Sequence, residues 1–340
     1  MDTAAGYAAM LELVMGLPEQ LAEAGTRCLP AGIPGRRGWS TVVVVGMGGS
    51  AISGDIARSL MLDSCAVPVI SCRDYDIPAA VTKRTLLVAL SYSGNTEETL
   101  SAYRQAVGTG CRRVVVTSGG ELARLARAEH DPVIAVPSGI PPRAALGYLL
   151  GSLLPVLEHA GLGEFRGQLD EAVGLLAARR DAWRRRAVTL AARLVDRLPL
   201  VLSTSRLLDC AADRWRCQLN ENAKVICHTS RLPEHNHNEV VGMGRPAELA
   251  QRTVIIGLLE RETHPRTSLR LRHVLAIARD GYEQAVRLRA EGRSPLARVL
   301  SLSMLGDLVS VELARLTGVD PMPVRRIDKL KRRLARARRE

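Results

Sequence analysis

The sequence predicts an α/β protein made of two doubly wound, parallel-sheet modules joined by helices. Three observations carry this expectation. Short, fully apolar, β-branched runs alternate with helix-periodic segments through the first 150 residues. Residues 143–197 then read as helix almost throughout, rich in Ala, Leu and Arg, and a second strand–turn–helix pattern starts near residue 198. Apolar strands separated by helices mark a parallel sheet covered on both faces, and 340 residues suffice for two domains with cores of their own.

Taken in order, strands are expected at Thr41–Val45, Val67–Ser71, Leu86–Leu90, Arg113–Thr117 and Pro132–Val136. Ile52, Ile56 and Leu60, and the segment Thr99–Ala106, repeat at helical spacing between them. In the second module strands are expected near Leu198–Ser203, Thr253–Leu258 and His273–Ile277. Both modules open alike, with an apolar strand, a turn of small residues and a helix. The expected division is a first module with an N-terminal helix (1–160), a helical connector (161–195) and a second module with a C-terminal helix (196–340). That last helix, from about Val324, carries an apolar stripe at Ile327, Leu330, Leu334 and Ala337.

Composition removes several functional classes. At 46% apolar residues the chain is neither disordered nor collagen-like. Its seven cysteines are odd in number and show no CxxC spacing, so they read as reduced thiols, mostly core residues, rather than a disulfide framework or zinc ribbon. No run reaches the ~18 apolar residues of a membrane span. The acidic N-terminus, without early Lys or Arg, does not read as a signal peptide, so a cytoplasmic location is expected. The net charge of +12 invites a nucleic-acid reading, yet residues 321–340 alone hold nine Lys or Arg against two acids. One Phe, six Tyr and three Trp leave too few aromatic rings for a base-stacking platform, so no nucleic-acid partner is expected.

Two turns carry the chemistry of the first module. Gly46-Met47-Gly48-Gly49-Ser50-Ala51 follows a strand and opens a helix. It fits three descriptions: a tight turn, a GxGxxA dinucleotide fingerprint, or a cradle for another anion. The acid that should end the second strand of a dinucleotide fold is displaced here to Asp74. A second turn, Ser91-Tyr92-Ser93-Gly94-Asn95-Thr96, also follows an apolar strand, with Asn95 and Glu98 placed as a helix cap. Ser91, Ser93 and Thr96 then remain as hydroxyls at a positive helix end, suited to a phosphate monoester, and a dinucleotide fold does not ask for this turn.

The motifs GMGGSAISGD at 46–55 and SYSGNTEET at 91–99 resemble the sugar isomerase (SIS) domain, a flavodoxin-like module that binds phosphosugars. In the second module, Asn220-Glu221-Asn222-Ala223-Lys224 ends a helix with apolar stripe Leu208, Ala211, Ala212, Trp215 and Leu219, and the polar loop 233–239 holds two imidazoles. On residue types alone that loop is a solvated segment, a zinc site from His235, His237 and Glu239, or part of an acid–base pair with Glu221. The blocks ENAK and LPExxHNE, together with PPRAALGYLL at 141–150 and IDKLKRRL at 327–334, are similar to the bifunctional phosphoglucose/phosphomannose isomerases, which are tandem SIS proteins.

The resemblance implies an aldose–ketose isomerase interconverting glucose 6-phosphate and/or mannose 6-phosphate with fructose 6-phosphate through a cis-enediolate, with no metal and no cofactor. It implies Glu221 as the base moving a proton between C1 and C2, and Arg143 as stabiliser of the enediolate. His237 would assist ring opening across a homodimer. Gly48, Gly49, Ser50, Ser91, Ser93 and Thr96 would hold the phosphate. Of the two C-terminal lysines, Lys331 lies about 40° from Ile327 and Lys329 about 160° away, so only Lys331 could reach inward from a docked helix. It also matches the family's lysine position, and with His237 it would exchange protons with the ring oxygen and the O1 hydroxyl during ring opening. Two departures stand out: Ser53-Gly54 in the first helix, and a stretch without hydroxyls, PMPV at 321–324, where relatives often carry a threonine that shapes sugar selectivity. A non-catalytic sugar-phosphate sensor, an isomerase of another sugar phosphate and an oxidoreductase are the rival classes; sensors of this type usually carry a DNA-binding domain for which the chain has no spare segment.

Overall fold

The computed structural model describes residues 3–278 and 284–337. Helices α1 (Thr3–Met15) and α2 (Leu17–Thr26) precede a first module of β1 (Thr41–Val45), α3 (Gly48–Met61), β2 (Val69–Cys72), β3 (Thr85–Leu90), α4 (Glu97–Thr109), β4 (Arg112–Thr117), α5 (Gly120–Ala128) and β5 (Val133–Ala135). Helices α6 (Leu146–His159) and α7 (Arg166–Ala192) lead to a second module of β6 (Leu198–Ser203), α8 (Asp209–Gln218), β7 (His228–Arg231), α9 (Ala247–Gln251), β8 (Thr253–Leu259), α10 (Pro265–Ala278) and β9 (Gln284–Arg289). The long α11 (Pro295–Leu316) and the terminal α12 (Arg325–Ala337) follow.

All strand pairs are parallel. The first sheet runs β2-β1-β3-β4-β5, the flavodoxin-like order, and the second runs β7-β6-β8-β9, the same order with four strands among the described residues. β1 and β3 are buried along their whole length, so their side chains alternate between two apolar layers. Val43, Val45, Leu87 and Ala89 pack with Ala102, Tyr103 and Ala106 of α4, while Val42, Val44, Leu86 and Val88 face Ile52 and Ile56 of α3. The second layer is continuous with Val201, Val254 and Ile256 of the other sheet, through α8 and α11, so one core spans both modules. α11 is buried over nearly its whole surface and lies against α7 and α8. Among the described residues, no helix is long and apolar enough to cross a membrane.

Several expectations are corrected. His273–Ile277 is not a strand but the end of α10: Leu271, Val274, Leu275 and Ala278 recur at helical spacing and are buried, while Ile277 is exposed. A short apolar run fits a buried helix as well as a strand. The strand of that region is β9, and the polar edge strand β7 gave no apolar signal. Asn95 does not cap α4; Thr96 holds that position, and Asn95 Oδ1 instead accepts a hydrogen bond from the Glu121 N–H at the start of α5, at 3.0 Å. The cysteines are unpaired, and Cys72, Cys111, Cys210 and Cys227 are buried as expected. α12 has no buried residue: Ile327, Leu330 and Leu334 are exposed, so the apolar stripe is not docked on its own chain.

Trp215 is the pin between α8 and α11. Its indole is fully buried and Nε1 donates to the Leu302 carbonyl at 2.8 Å. A Cβ on Gly306 would lie 2.4 Å from that nitrogen, so only glycine seats the ring. Replacing Trp215 with Ala should cost about 3–5 kcal/mol of stability, read from the urea midpoint. A loss below about 1 kcal/mol would contradict this packing.

Candidate active site

The turns after β1 and β3 lie at the carboxyl edge of the first sheet, where the strand order reverses direction and open α/β sheets bind ligands. They touch: Ser50 Oγ accepts a long hydrogen bond from the Tyr92 N–H, at 3.4 Å. Ser91 is buried and its hydroxyl donates to Thr96 Oγ1 at 3.0 Å, and Ser93 Oγ accepts from the Asn95 N–H at 3.3 Å. Gly94 has φ +67°, and a Cβ there would strike the Gly119 carbonyl at 1.8 Å, so the turn demands glycine. The N-termini of α3 and α4 thus converge with four hydroxyls, a suitable setting for a phosphate.

Beside this cradle sits Arg143, in a 3₁₀ turn from Pro142 to Ala144. A Cβ on Gly49 would lie 2.9 Å from the Pro142 carbonyl and 3.1 Å from Arg143 Cα, so glycine brings the start of α3 against this turn. Arg143 is 4% exposed. Its Nε donates to Asn222 Oδ1 at 2.6 Å, and Nη2 donates to the carbonyls of Pro321 at 2.5 Å and Met322 at 2.9 Å. Nη1 lies 3.7 Å from Glu221 Oε2. Burial pulls the Arg143 pKa down, and the charges of Glu221 and Asp320 oppose that shift.

Glu221 and Asn222 lie in a π-helical turn, Leu219–Ala223, that continues α8. Such turns are frequent at functional sites because the widened coil redirects side chains. Here Asn222 points to Arg143 and Nδ2 donates to Ser310 Oγ at 2.9 Å, while the Glu221 carboxylate remains part-exposed on the open side. Behind them, Arg214 and Asp307 form a buried ion pair at 2.6 Å. Arg214 Nη2 also donates to the Arg143 carbonyl at 3.2 Å, and Gln218 Nε2 donates to the same oxygen at 3.3 Å. Burial raises the Asp307 pKa, against the opposing charge of Arg214.

The structure therefore brings Gly48, Gly49, Ser50, Ser91, Ser93 and Thr96 into one region with Arg143 and Glu221. It does not bring His237 or Lys331 there within one chain. His237 is exposed at the end of a 3₁₀ turn with no polar partner among the described residues, and Lys331 is exposed on α12. His235 is buried instead, with Nδ1 3.2 Å from Ser230 Oγ, and burial lowers its pKa despite the nearby Glu239. Glu239 accepts from Ser230 at 2.6 Å and meets His228 Nε2 at 2.9 Å. Among the described residues, no group of three or more His, Cys, Asp or Glu is placed to hold a metal, and the buried His235 and exposed His237 point apart in character. Sequence reasoning noted Asn222 and Lys224 within the ENAK block without giving either a role, and it missed the roles of Arg214 and Asp307. An acid inside the apolar run of α11 was the one available signal for Asp307.

Removing one member of a buried ion pair leaves an uncompensated charge, so Asp307→Ala should cost about 3–5 kcal/mol. Asp307→Leu combined with Arg214→Met should recover much of that stability in urea unfolding, but not the support of the Arg143 carbonyl. A double variant as unstable as the single one would deny the pair this role.

The chain is similar to known proteins over most of its length. Residues 184–334 match the family described as the bacterial phospho-glucose isomerase C-terminal SIS domain. A bifunctional phosphoglucose/phosphomannose isomerase of Caldicellulosiruptor bescii is 38% identical over 336 residues, covering 96% of this chain and 99% of that protein. The Aquifex aeolicus protein of the same description is 37% identical over 86% of this chain and 90% of its own length. In fold, the chain is similar to the C-terminal domain of a glucosamine-fructose-6-phosphate aminotransferase from Francisella tularensis, with a TM-score of 0.74 at 15% identity, over 92% of this chain and 98% of that one. With the tandem sheets, the hydroxyl-lined turns and the Arg143–Glu221 pair in place, the chain belongs to the bifunctional phosphoglucose/phosphomannose isomerase family.

Proposed function

We propose that this chain is an aldose–ketose isomerase interconverting glucose 6-phosphate and mannose 6-phosphate with fructose 6-phosphate. The observation that carries the reading is the Arg143 guanidinium 3.7 Å from the Glu221 carboxylate, next to a phosphate-sized cluster of hydroxyls and helix N-termini. The phosphate of the open-chain sugar binds to Ser50, Ser91, Ser93, Thr96 and the backbone of Gly48 and Gly49. Its carbonyl end then extends toward Arg143. Glu221 removes the C2 proton, Arg143 stabilises the negative charge that develops on oxygen, and Glu221 returns the proton at C1. Proton return to either face of C2 serves both epimers.

The reading includes a cytoplasmic homodimer in which His237 of one subunit assists ring opening in the other's site. No metal or nucleotide takes part, and the modules divide at 1–160 and 196–340. Exposed apolar residues near the loop support an interface there: Ile226 is 76% and Val241 85% exposed, and the α12 stripe is free on its own chain. A docked partner would also decide whether Lys331 reaches a site.

A coupled assay on fructose 6-phosphate, scoring glucose and mannose 6-phosphate separately, tests the reading. Glu221→Gln keeps the size of the side chain and loses the base, so kcat should fall by at least ~10²-fold. Thr96→Ala should instead raise KM more than it lowers kcat, since the phosphate is held equally in ground and transition states. Normal kcat in Glu221→Gln would remove the mechanism.

The dimer arrangement has its own test. Inactive Glu221→Gln and His237→Ala chains, mixed so that subunits exchange, should regain up to about a quarter of wild-type activity, because half the dimers are mixed and each has one intact site. Absence of recovery despite exchange would place both residues in one subunit's site.

A further inference from the structure

Lys224 closes the π-helical turn in an unexpected conformation. Its φ is +59°, in the left-handed region where glycine or asparagine usually ends a helix. Its side chain folds back, so that Nζ donates to the Glu221 carbonyl at 2.5 Å and to the Pro321 carbonyl at 3.3 Å. The Pro321 carbonyl also takes the hydrogen bond from Arg143 Nη2. Two cations thus gather at one oxygen, on the side of the site where Glu221 stands. The charged groups that face the ammonium are Arg143 from the 3₁₀ turn, Asp320 from the segment after α11, and Glu221 on its own element. A glycine would cap the turn without backbone strain and without repelling Arg143. The position is costly for structure alone.

Isomerisation moves two protons. One passes from C2 to C1 by way of Glu221; the other must leave the C2 hydroxyl and arrive on the C1 oxygen. We propose that Lys224 carries this second proton, an inference that rests on the isomerase reading above. As Glu221 takes the C2 hydrogen, negative charge develops on the C1 oxygen beside Arg143, and the ammonium quenches that enediolate by giving it a proton, which leaves a neutral enediol, a neutral amine and a protonated carboxyl. The amine then takes the proton of the C2 hydroxyl as the C2 carbonyl forms, and Glu221 delivers its proton to C1. Atoms and charges balance, and both residues return to their starting state. Lys224 is exposed as a residue, but partial desolvation of its ammonium first, and Arg143 second, bring its pKa down to about 8, which suits an amine that must give and take a proton near neutrality.

The test uses the full chain in two variants. Lys224→Gly relieves the left-handed strain, so its Tm should not fall; its kcat should drop about 10²-fold, and added primary amines should restore part of it. Lys224→Arg keeps the charge but cannot release its proton, so it should stay equally impaired. With substrate deuterated at C2, both variants should wash label into water faster relative to product formation than the wild type does, since Glu221 still works while the oxygen proton is stranded. The wild-type kcat/KM should decline above pH about 8 as the ammonium is lost, and neither variant should show that limb. Recovery to within about threefold of wild type in Lys224→Arg would assign Lys224 to electrostatics and overturn the proposal. Full activity in Lys224→Gly would leave it a helix cap and overturn it too. Inactivity of the wild type on every hexose 6-phosphate would overturn the isomerase reading itself, and the proton carrier with it.

Discussion

The arrangement of this chain depends on one buried cation. Arg143 is almost wholly removed from water, and an unpaired guanidinium there would be prohibitive. Its donors are satisfied by Asn222, by the Pro321 and Met322 carbonyls, and by the charge of Glu221. Those partners lie about 80 to 180 residues away along the chain. Satisfying one side chain therefore requires that the first module, the end of α8 and the segment after α11 meet at one point. The Arg214–Asp307 pair repeats the device one layer deeper and ends on the Arg143 backbone. Buried ion pairs are weak sources of stability, and here the Arg143 and Arg214 contacts join the two modules at the candidate site.

The duplicated module is used asymmetrically. Both sheets place a strand order reversal between their first and third strands. In the first module the turns there leave the hydroxyls of Ser50, Ser91, Ser93 and Thr96 grouped at two helix N-termini. In the second, the corresponding turn after β6 is satisfied by its own module: Thr204 Oγ1 donates to the Leu258 carbonyl at 2.8 Å and lies 3.0 Å from Thr263 Oγ1, and Ser203 bonds Asp209. That crevice has its polar groups closed internally. What the second module supplies instead is α8 and its π-helical extension, aimed at the first module's cradle.

Much of this was legible in the sequence, and the failures have physical causes. β1 and β6 fall where their apolar runs predict, and the stripe Leu208, Ala211, Ala212, Trp215 and Leu219 is buried as its spacing requires. His273–Ile277 misled because a five-residue apolar run carries no period long enough to separate a strand from a helix. Polar β7 escaped because an edge strand need not be apolar. The hydroxyl turn was readable because its residues act locally. The roles of Arg214, Asn222, Asp307 and Lys224 were not, because each acquires its role only through a partner distant in sequence or through backbone geometry that residue type does not announce.

The exposed elements complete the logic of the site. The hydroxyl-lined turns and the Arg143–Glu221 pair are both built within one chain, on helix ends and turns held by a continuous core. In the proposed reaction, binding energy collected at the phosphate would fix the carbonyl end of a flexible open-chain sugar against rigid groups, which is where orientation contributes most to rate. His237 and Lys331, by contrast, stand on the 233–239 loop and on α12, both exposed on the single chain and both flanked by exposed apolar residues. Groups that open the sugar ring act before the chemistry at C1 and C2 and tolerate looser positioning. If Glu221 moves the proton and His237 and Lys331 open the ring, as proposed, the two demands fall on a packed scaffold and on exposed surface respectively, and the second would need a docked partner.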